Sequence, residues 1–282
     1  MLVSERAYAK INLALHITGR RADGYHELDS IVAFADVADV LTMTPADRVS
    51  LDITGPFASE LHHDDTNSVL SAWRLLDDFS RQRGAALAPV KFRLEKNLPV
   101  ASGIGGGSAD AAAALRGLIR LFDVSISGQD LNKLALQLGA DVPVCLLQQS
   151  SRMRGIGEMI EPFASELPPA IVLANPRIPA PTAKVFESLN LQCGQSFGTG
   201  IGNLHDIQSW RNDLTAPAVT LVPEIADVIG SLIFQPGGVC SRMSGSGATC
   251  FGLFESLENA QIAADAISEK HPHWWVAATT LL

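Results

Sequence analysis

The chain has 282 residues, 47% of them hydrophobic and 18% charged, with a net charge of −9. That is room for one large or two ordinary globular domains, with no apolar run reaching the roughly 18 residues of a membrane span and an acidic balance that argues against nucleic acid or a membrane surface as partner. Residues Met1–Arg6 lack the apolar core of a signal peptide, and Cys145, Cys193, Cys240 and Cys250 show no C-x-x-C spacing, so a cytoplasmic protein with reduced thiols and no zinc site is expected.

Ala9–Ile17 alternates strictly, with Ile11, Leu13, Leu15 and Ile17 on one face and Lys10, Asn12 and His16 on the other, which predicts a strand. Arg21-Ala-Asp-Gly-Tyr25 carries an Asp-Gly turn signal, which predicts a hairpin after that strand. Ile31–Leu41 and Val49–Ile53 read as further strands. Asp65-Thr-Asn67 opens a helix running to about Gln82, with Val69, Trp73 and Leu76 on one face. Val90–Leu94 alternates as a strand, and a glycine loop then runs into an alanine-rich helix ending near Leu121. Ser127-Gly-Gln-Asp130 resembles a capping box before a helix that stops at Gly139, and Gly139–Pro143 reads as a tight connection. Ser151–Pro162 is turn-rich, Ala170–Ala174 is a short strand, and Gln192–Asn203 is a Gly/Ser-rich exposed loop. The tail reads helix (Val222–Ile233), strand (Val239–Met243), Gly-Ser loop, strand (Ala248–Phe254), helix (Leu257–Glu269) and strand (Trp275–Leu281). Breaks at Pro162, Pro168 and Pro169 divide the chain into two α+β domains, 1–162 and 163–282.

The stretch from Pro99 to Leu115 carries the strongest chemical signal. Gly103, Gly105, Gly106 and Gly107 lead into Ser108 and a helix start. Bare backbone approaches a ligand closely, and the helix start adds unpaired N–H donors and partial positive charge, which together suit nucleotide phosphates. No Gly-Lys-Ser/Thr follows, so the loop is not a Walker A motif, and the third glycine of a dinucleotide fingerprint is replaced by Ser108. Lys10 and Asn12 lie ~7 Å apart on one strand face. A lysine opposite an apolar face is usually a solvated surface residue. Beside Asn12 and a phosphate loop, its ammonium can instead steady charge on a transferring phosphoryl group. Asp141 is either a turn aspartate bonding its own backbone or a carboxylate placed to take a proton from a hydroxyl. Ser244-Gly-Ser-Gly-Ala248 is a second Gly-Ser loop that suggests a phosphate approached from two sides. Tyr25 and His26 are either core aromatics or a platform for a nucleobase.

These segments together resemble the GHMP small-molecule kinases. Ala9-Lys-Ile-Asn-Leu13 looks like their first motif, Pro99–Ala113 like the second and Met243–Ala248 like the third. Arg21–Leu28 and Gly139–Pro143 are similar to the branch that phosphorylates the 2-hydroxyl of a cytidylyl-linked methylerythritol in the non-mevalonate isoprenoid route. The resemblance implies a two-domain α+β fold, with an N-terminal ATP-loop domain, a ferredoxin-like C-terminal domain and the active site in the cleft between them. It implies Asp141 as catalytic base and Lys10 as its partner. Asn12, Tyr25, His26 and Phe186 match substrate-binding positions, the last three around the cytosine. Pro99, Gly103, Gly105, Gly106, Gly107 and Ser108 match the triphosphate cradle, and Asn67, Ser68 and Lys96 lie where the family holds the rest of ATP. Mg²⁺ is expected to travel with the ATP, with no protein metal ligand assigned. Val32 departs from the family's frequent aromatic, Met153 replaces a small residue, and the Cys193–Asn203 loop matches no motif. Another hydroxyl acceptor, or a nucleotide-binding protein without catalysis, is the alternative; a binding module needs neither Lys10 nor Asp141. Monomer and homodimer are both open.

Overall fold

The computed structural model describes residues 1–61, 66–164 and 166–282, so Asp65, the expected opening of the first helix, lies outside the described residues. Two compact units emerge, one of Met1–Ala9, Val37–Val100 and Gly106–Gln148, the other of Lys10–Asp36, Ala101–Gly105 and Gln149–Leu282. A single cut after residue 162 does not describe them. The reason is the length of the first two strands, β1 (Val3–Arg20) and β2 (His26–Pro45), which pair with each other and each contribute to both units.

In the first unit, β3 (Ser50–Thr54) runs parallel to β4 (Val90–Glu95), and β4 lies antiparallel to Val40–Pro45 of β2. The alternation of β4 is real: Val90, Phe92 and Leu94 are fully buried. Helix α1 (Ser68–Arg81) packs on α2 (Gly106–Phe122), burying Val69 and Leu76 as the periodicity predicted. The alanines of α2 allow close packing, and Ala109 and Ala111–Ala114 are all buried. Helix α3 (Gly128–Leu138) starts where expected: the Ser127 hydroxyl accepts from the Asp130 N–H at 3.1 Å. The connection expected over Gly139–Pro143 is instead the entry to a further helix, α4 (Val142–Leu147), with Asp141 as its N-cap. Pro143 did not forbid that helix, because proline is tolerated in a first turn.

In the second unit, β5 (Ser151–Gly155) and β6 (Met159–Pro162) form a hairpin, and β5 pairs with Leu28–Val32 of β2. The turn signals of that stretch belong to the hairpin's bend, where Gly155 and Gly157 take φ of +71° and +113°. Val32 and Met153 are both buried there. Downstream come β7 (Ala170–Asn175), α5 (Thr182–Glu187), α6 (Thr215–Leu221), α7 (Glu224–Ile233), β8 (Gly238–Met243), β9 (Cys250–Phe254), α8 (Leu257–Lys270) and β10 (Trp275–Thr280). The sheet order β10-β7-β9-β8 is antiparallel throughout, with α7 and α8 packed on it. That β-α-β-β-α-β arrangement is the ferredoxin-like one. Val172 and Ala174 of β7 meet Ile225, Val228 and Leu232 of α7 and Ala263 and Ile267 of α8 in its core. The short helices α5 and α6 escaped the sequence reading because six or seven residues hold too few turns to show a period. No described helix is long and apolar enough to cross a membrane.

Candidate active site

In the second unit, residues Ala101–Gly105 bend sharply, with positive φ at Ala101, Gly103 and Gly105. Gly103 must be glycine for two reasons. Its φ is +77°, and a Cβ there would lie 2.8 Å from the Gly247 nitrogen and 2.9 Å from the Gly247 oxygen. A Cβ on Gly245 would in turn lie 2.6 Å from the Gly103 oxygen. The two Gly-Ser loops are therefore packed backbone against backbone. Hydrogen bonds fasten them: the Ser244 hydroxyl donates to the Gly103 oxygen at 2.9 Å, and the Thr249 N–H donates to the Ser102 oxygen at 3.0 Å. Asn212 secures the second loop from the other direction, its amide donating to the carbonyls of Met243 and Gly245 at 2.8 Å each.

The polar face of β1 meets the same loops. The Asn12 N–H donates to the Ser244 hydroxyl at 3.0 Å, and the Lys10 N–H donates to the Ile104 carbonyl at 3.0 Å. The Lys10 ammonium donates to Asn12 Oδ1 at 2.9 Å, Asn12 Nδ2 to the Ser30 hydroxyl at 2.8 Å, and that hydroxyl to the Ala14 carbonyl at 2.6 Å. This chain of donors fixes the Asn12 amide in one orientation. Lys10 is only 3% exposed, so it is not the solvated lysine that residue statistics favour. A Cβ on Gly105 would come within 3.3 Å of its side chain, which places the ammonium stem directly against the glycine loop. His16, on the same face, serves another purpose. Its Nδ1 faces the Thr199 carbonyl at 3.2 Å, and its Nε2 accepts from the Arg211 N–H at 3.2 Å. Nδ1 thus carries the proton of a neutral ring, and burial followed by the Arg211 charge lowers its pKa. It anchors the exposed 192–203 loop, whose Phe197 and Ile201 N–H groups bond Thr18 of β1 and Asp29 of β2.

The first unit carries the helical half of the glycine motif. Gly106, Gly107 and Ser108 form the first turn of α2, whose N–H groups and dipole favour an anion. Around Gly107 a Cβ would meet none of the described residues within 4 Å, so neither their packing nor the backbone conformation requires glycine there. Gly139 passes Ser108 closely, a Cβ on it lying 3.8 Å from the Ser108 hydroxyl. Asp141 comes two residues later, half-buried, and its side chain does not cap α4. Two residues expected near ATP make bonds within the first unit. Asn67 caps α1, its Oδ1 accepting from the Val69 N–H at 2.9 Å beside Ser68, the first residue of that helix. Lys96 is 2% exposed, with its ammonium between the carboxylates of Asp39 and Asp110, the latter at 2.9 Å. Pro99 stands at the entry to the loop. Its carbonyl lies 4.0 Å from the Cβ position of Gly106.

The expected cytosine residues sit on the second unit. His26 opens β2, and its ring lies 5.0 Å from that of Phe186 on α5, tilted by 37°. Burial, then the Arg20 charge, lowers the His26 pKa and keeps the imidazole neutral at neutral pH. Its Nε2 is buried with no hydrogen-bond partner among the described residues, an atom suited to bond a ligand's polar edge. Tyr25 is 61% exposed on the hairpin turn, which removes the core-aromatic reading. Four contributors were missed in the sequence. Ser30 and Asn212 carry no motif, and Asp39 and Asp110 interrupt otherwise apolar stretches, which was their only signal.

Residues 67–149 match the model of the GHMP kinases N terminal domain, and residues 185–273 that of the GHMP kinases C terminal. The chain belongs to the GHMP kinase family. Among GHMP kinases it is 49% identical to a 4-diphosphocytidyl-2-C-methyl-D-erythritol kinase of Cereibacter sphaeroides, over 98% of each chain. It is 50% identical to the protein of that name from Rhizobium leguminosarum bv. trifolii, over 98% of this chain and 94% of the other. A crystal structure of 4-(cytidine 5'-diphospho)-2C-methyl-D-erythritol kinase superposes with a TM-score of 0.80 at 33% identity, covering 99% of both chains. A homoserine kinase from Cytophaga hutchinsonii, at 18% identity and a TM-score of 0.73, shares the GHMP fold.

Proposed function

We propose that this GHMP kinase transfers the γ-phosphoryl group of ATP to the 2-hydroxyl of 4-diphosphocytidyl-2-C-methyl-D-erythritol, a step of the non-mevalonate isoprenoid route. The observation that carries the reading is the near-half identity, end to end, with kinases of that name. It is supported by an ordered set of residues suited to the chemistry.

ATP enters as its magnesium complex, the metal arriving with the substrate. The first turn of α2 and the Gly103–Gly105 backbone receive the phosphates. Asp141 accepts the proton of the attacking hydroxyl, and Lys10 steadies the charge that spreads over the phosphoryl oxygens. Asn12 orients the Lys10 ammonium and presents its amide to the acceptor. His26 and Phe186 receive the cytosine, with Tyr25 as the exposed third wall. A panel of hydroxyl acceptors, assayed by ADP release, tests the assignment. Release that depends on the cytidylyl substrate and is absent with homoserine or mevalonate is expected. Turnover of another acceptor, or tight ATP binding with no turnover on any, would overturn it.

A further inference from the structure

A buried charge cluster lies beside the first turn of α2. Lys96 leaves the end of β4, Asp39 comes from β2, and Asp110 sits one turn into α2. The ammonium bridges both carboxylates, and a Cβ on Gly106 would lie 3.1 Å from its nitrogen. The second oxygen of Asp39 accepts from the N–H groups of Asn97 and Leu98 at 2.6 and 2.9 Å. The cluster therefore joins the strand that enters the glycine loop to the helix that leaves it. One cation faces two carboxylates with 0–3% side-chain exposure, so full ionisation would bury an excess negative charge. Among the described residues, Asp110 Oδ1 has no hydrogen-bond partner, which an ionised carboxylate tolerates poorly.

We propose that Asp110 is a positioning residue of the nucleotide cradle, holding the first turn of α2 through Lys96 and taking up a proton when the ATP phosphates dock at that turn. The inference rests on the ATP-binding reading above. Burial pushes the Asp110 carboxyl up to about 7, the Lys96 charge opposes that, and Asp39 adds to it. Among the described residues, Lys96 and Asp39 are the charges that act on it. On the helices packed against α2, Asp77 of α1 bonds Arg81, Asp130 of α3 pairs with Arg83 and Lys133, and α4 carries no charged residue. Glu5 of β1 is taken by Arg116 and Arg120 of α2. An arriving polyphosphate at the helix start further disfavours the carboxylate one turn away, so binding and protonation favour each other. A group near half-protonation at neutral pH is placed to show this linkage.

The test is calorimetric titration of the wild type and Asp110→Asn with a non-hydrolysable ATP analogue and Mg²⁺. It is run at pH 6, 7 and 8 in two buffers of different ionisation enthalpy. The asparagine keeps an acceptor for Lys96 and cannot titrate, and the analogue's own titration is common to both proteins. The wild type is expected to take up more protons than the variant near pH 7. Its affinity should fall more steeply above pH 7, by up to about tenfold per pH unit, the limit for one linked proton. Equal proton uptake and parallel affinity curves would overturn the proposal while leaving ATP binding intact. Binding by neither protein would overturn the ATP reading itself. Should the variant fail to fold, infrared spectra of wild type labelled at the aspartate carboxyls give the answer. One carboxyl gaining a proton on analogue binding supports the proposal, and no change refutes it.

Discussion

Replacing Gly107 by alanine separates what the glycine loop does for the fold from what it does for a ligand. A Cβ at Gly107 meets none of the described residues within 4 Å, and the residue lies in the first turn of α2. Alanine in a helix is favoured over glycine by roughly 0.5–1 kcal/mol, so Gly107→Ala should not lower the melting temperature and should raise it by ~1–4 °C. Among the described residues the new methyl touches nothing, so what it can disturb is a ligand lying on the helix start. Forcing a methyl into a closely packed contact costs about 1–3 kcal/mol, which is a loss of roughly 5- to 150-fold in affinity. The paired assays are differential scanning fluorimetry without nucleotide and steady-state KM for MgATP. Gly103→Ala serves as the contrast, because its φ of +77° and the backbone of Gly247 make it costly with no ligand present. If Gly107→Ala keeps the wild-type KM for ATP, the phosphates do not lie on that turn and the account of the cradle is wrong.

Asp141→Asn is expected to preserve the fold, read by circular dichroism, and to lower kcat by ~10²–10⁴ with little change in ATP binding. Ser244→Ala removes the acceptor of the Asn12 N–H and the donor to the Gly103 carbonyl, and should destabilise by ~1–3 kcal/mol in urea unfolding. Arg152→Met leaves Asp29 buried beside β5 without its two guanidinium bonds of 2.8 and 2.6 Å, at a cost of about 3 kcal/mol at pH 7. Burial works against ionisation of Asp29, but Arg152 and the Ile201 N–H outweigh it and hold the carboxyl below its ordinary value. That contribution is present above the unfolded carboxyl's pKa and is lost as pH falls through the folded one. The stability gap between wild type and Arg152→Met should therefore narrow in acid, and a gap that widens below pH 4 would contradict the assignment.

The glycine loop was legible because its chemistry is local: four glycines, a serine and a helix start lie within one stretch. β4 and α1 were legible for a related reason, since one buried face imposes a period on each. The pinning of the two Gly-Ser loops was not, because Gly103 and Gly245 are far apart in sequence and nothing local reports their backbone contact. Lys10 was read as more often solvated because alternation reveals one apolar face and cannot tell a wet polar face from a buried, hydrogen-bonded one. The same limit hid the cluster beside the first turn of α2, where the Lys96 ammonium lies between Asp39 and Asp110. The compact units do not follow a cut at the prolines, because proline marks where the chain turns, whereas β1 and β2 each contribute to both units without turning; the two family-model matches, 67–149 and 185–273, fall on either side of that cut.

The most direct test of the central claim is the identity of the product. The protein, incubated with MgATP and 4-diphosphocytidyl-2-C-methyl-D-erythritol, is followed by phosphorus-31 NMR. One new phosphomonoester coupled to the carbon bearing the 2-hydroxyl, formed mole for mole with ADP, is predicted. ATP left intact, or phosphate delivered to a different oxygen, would contradict the account.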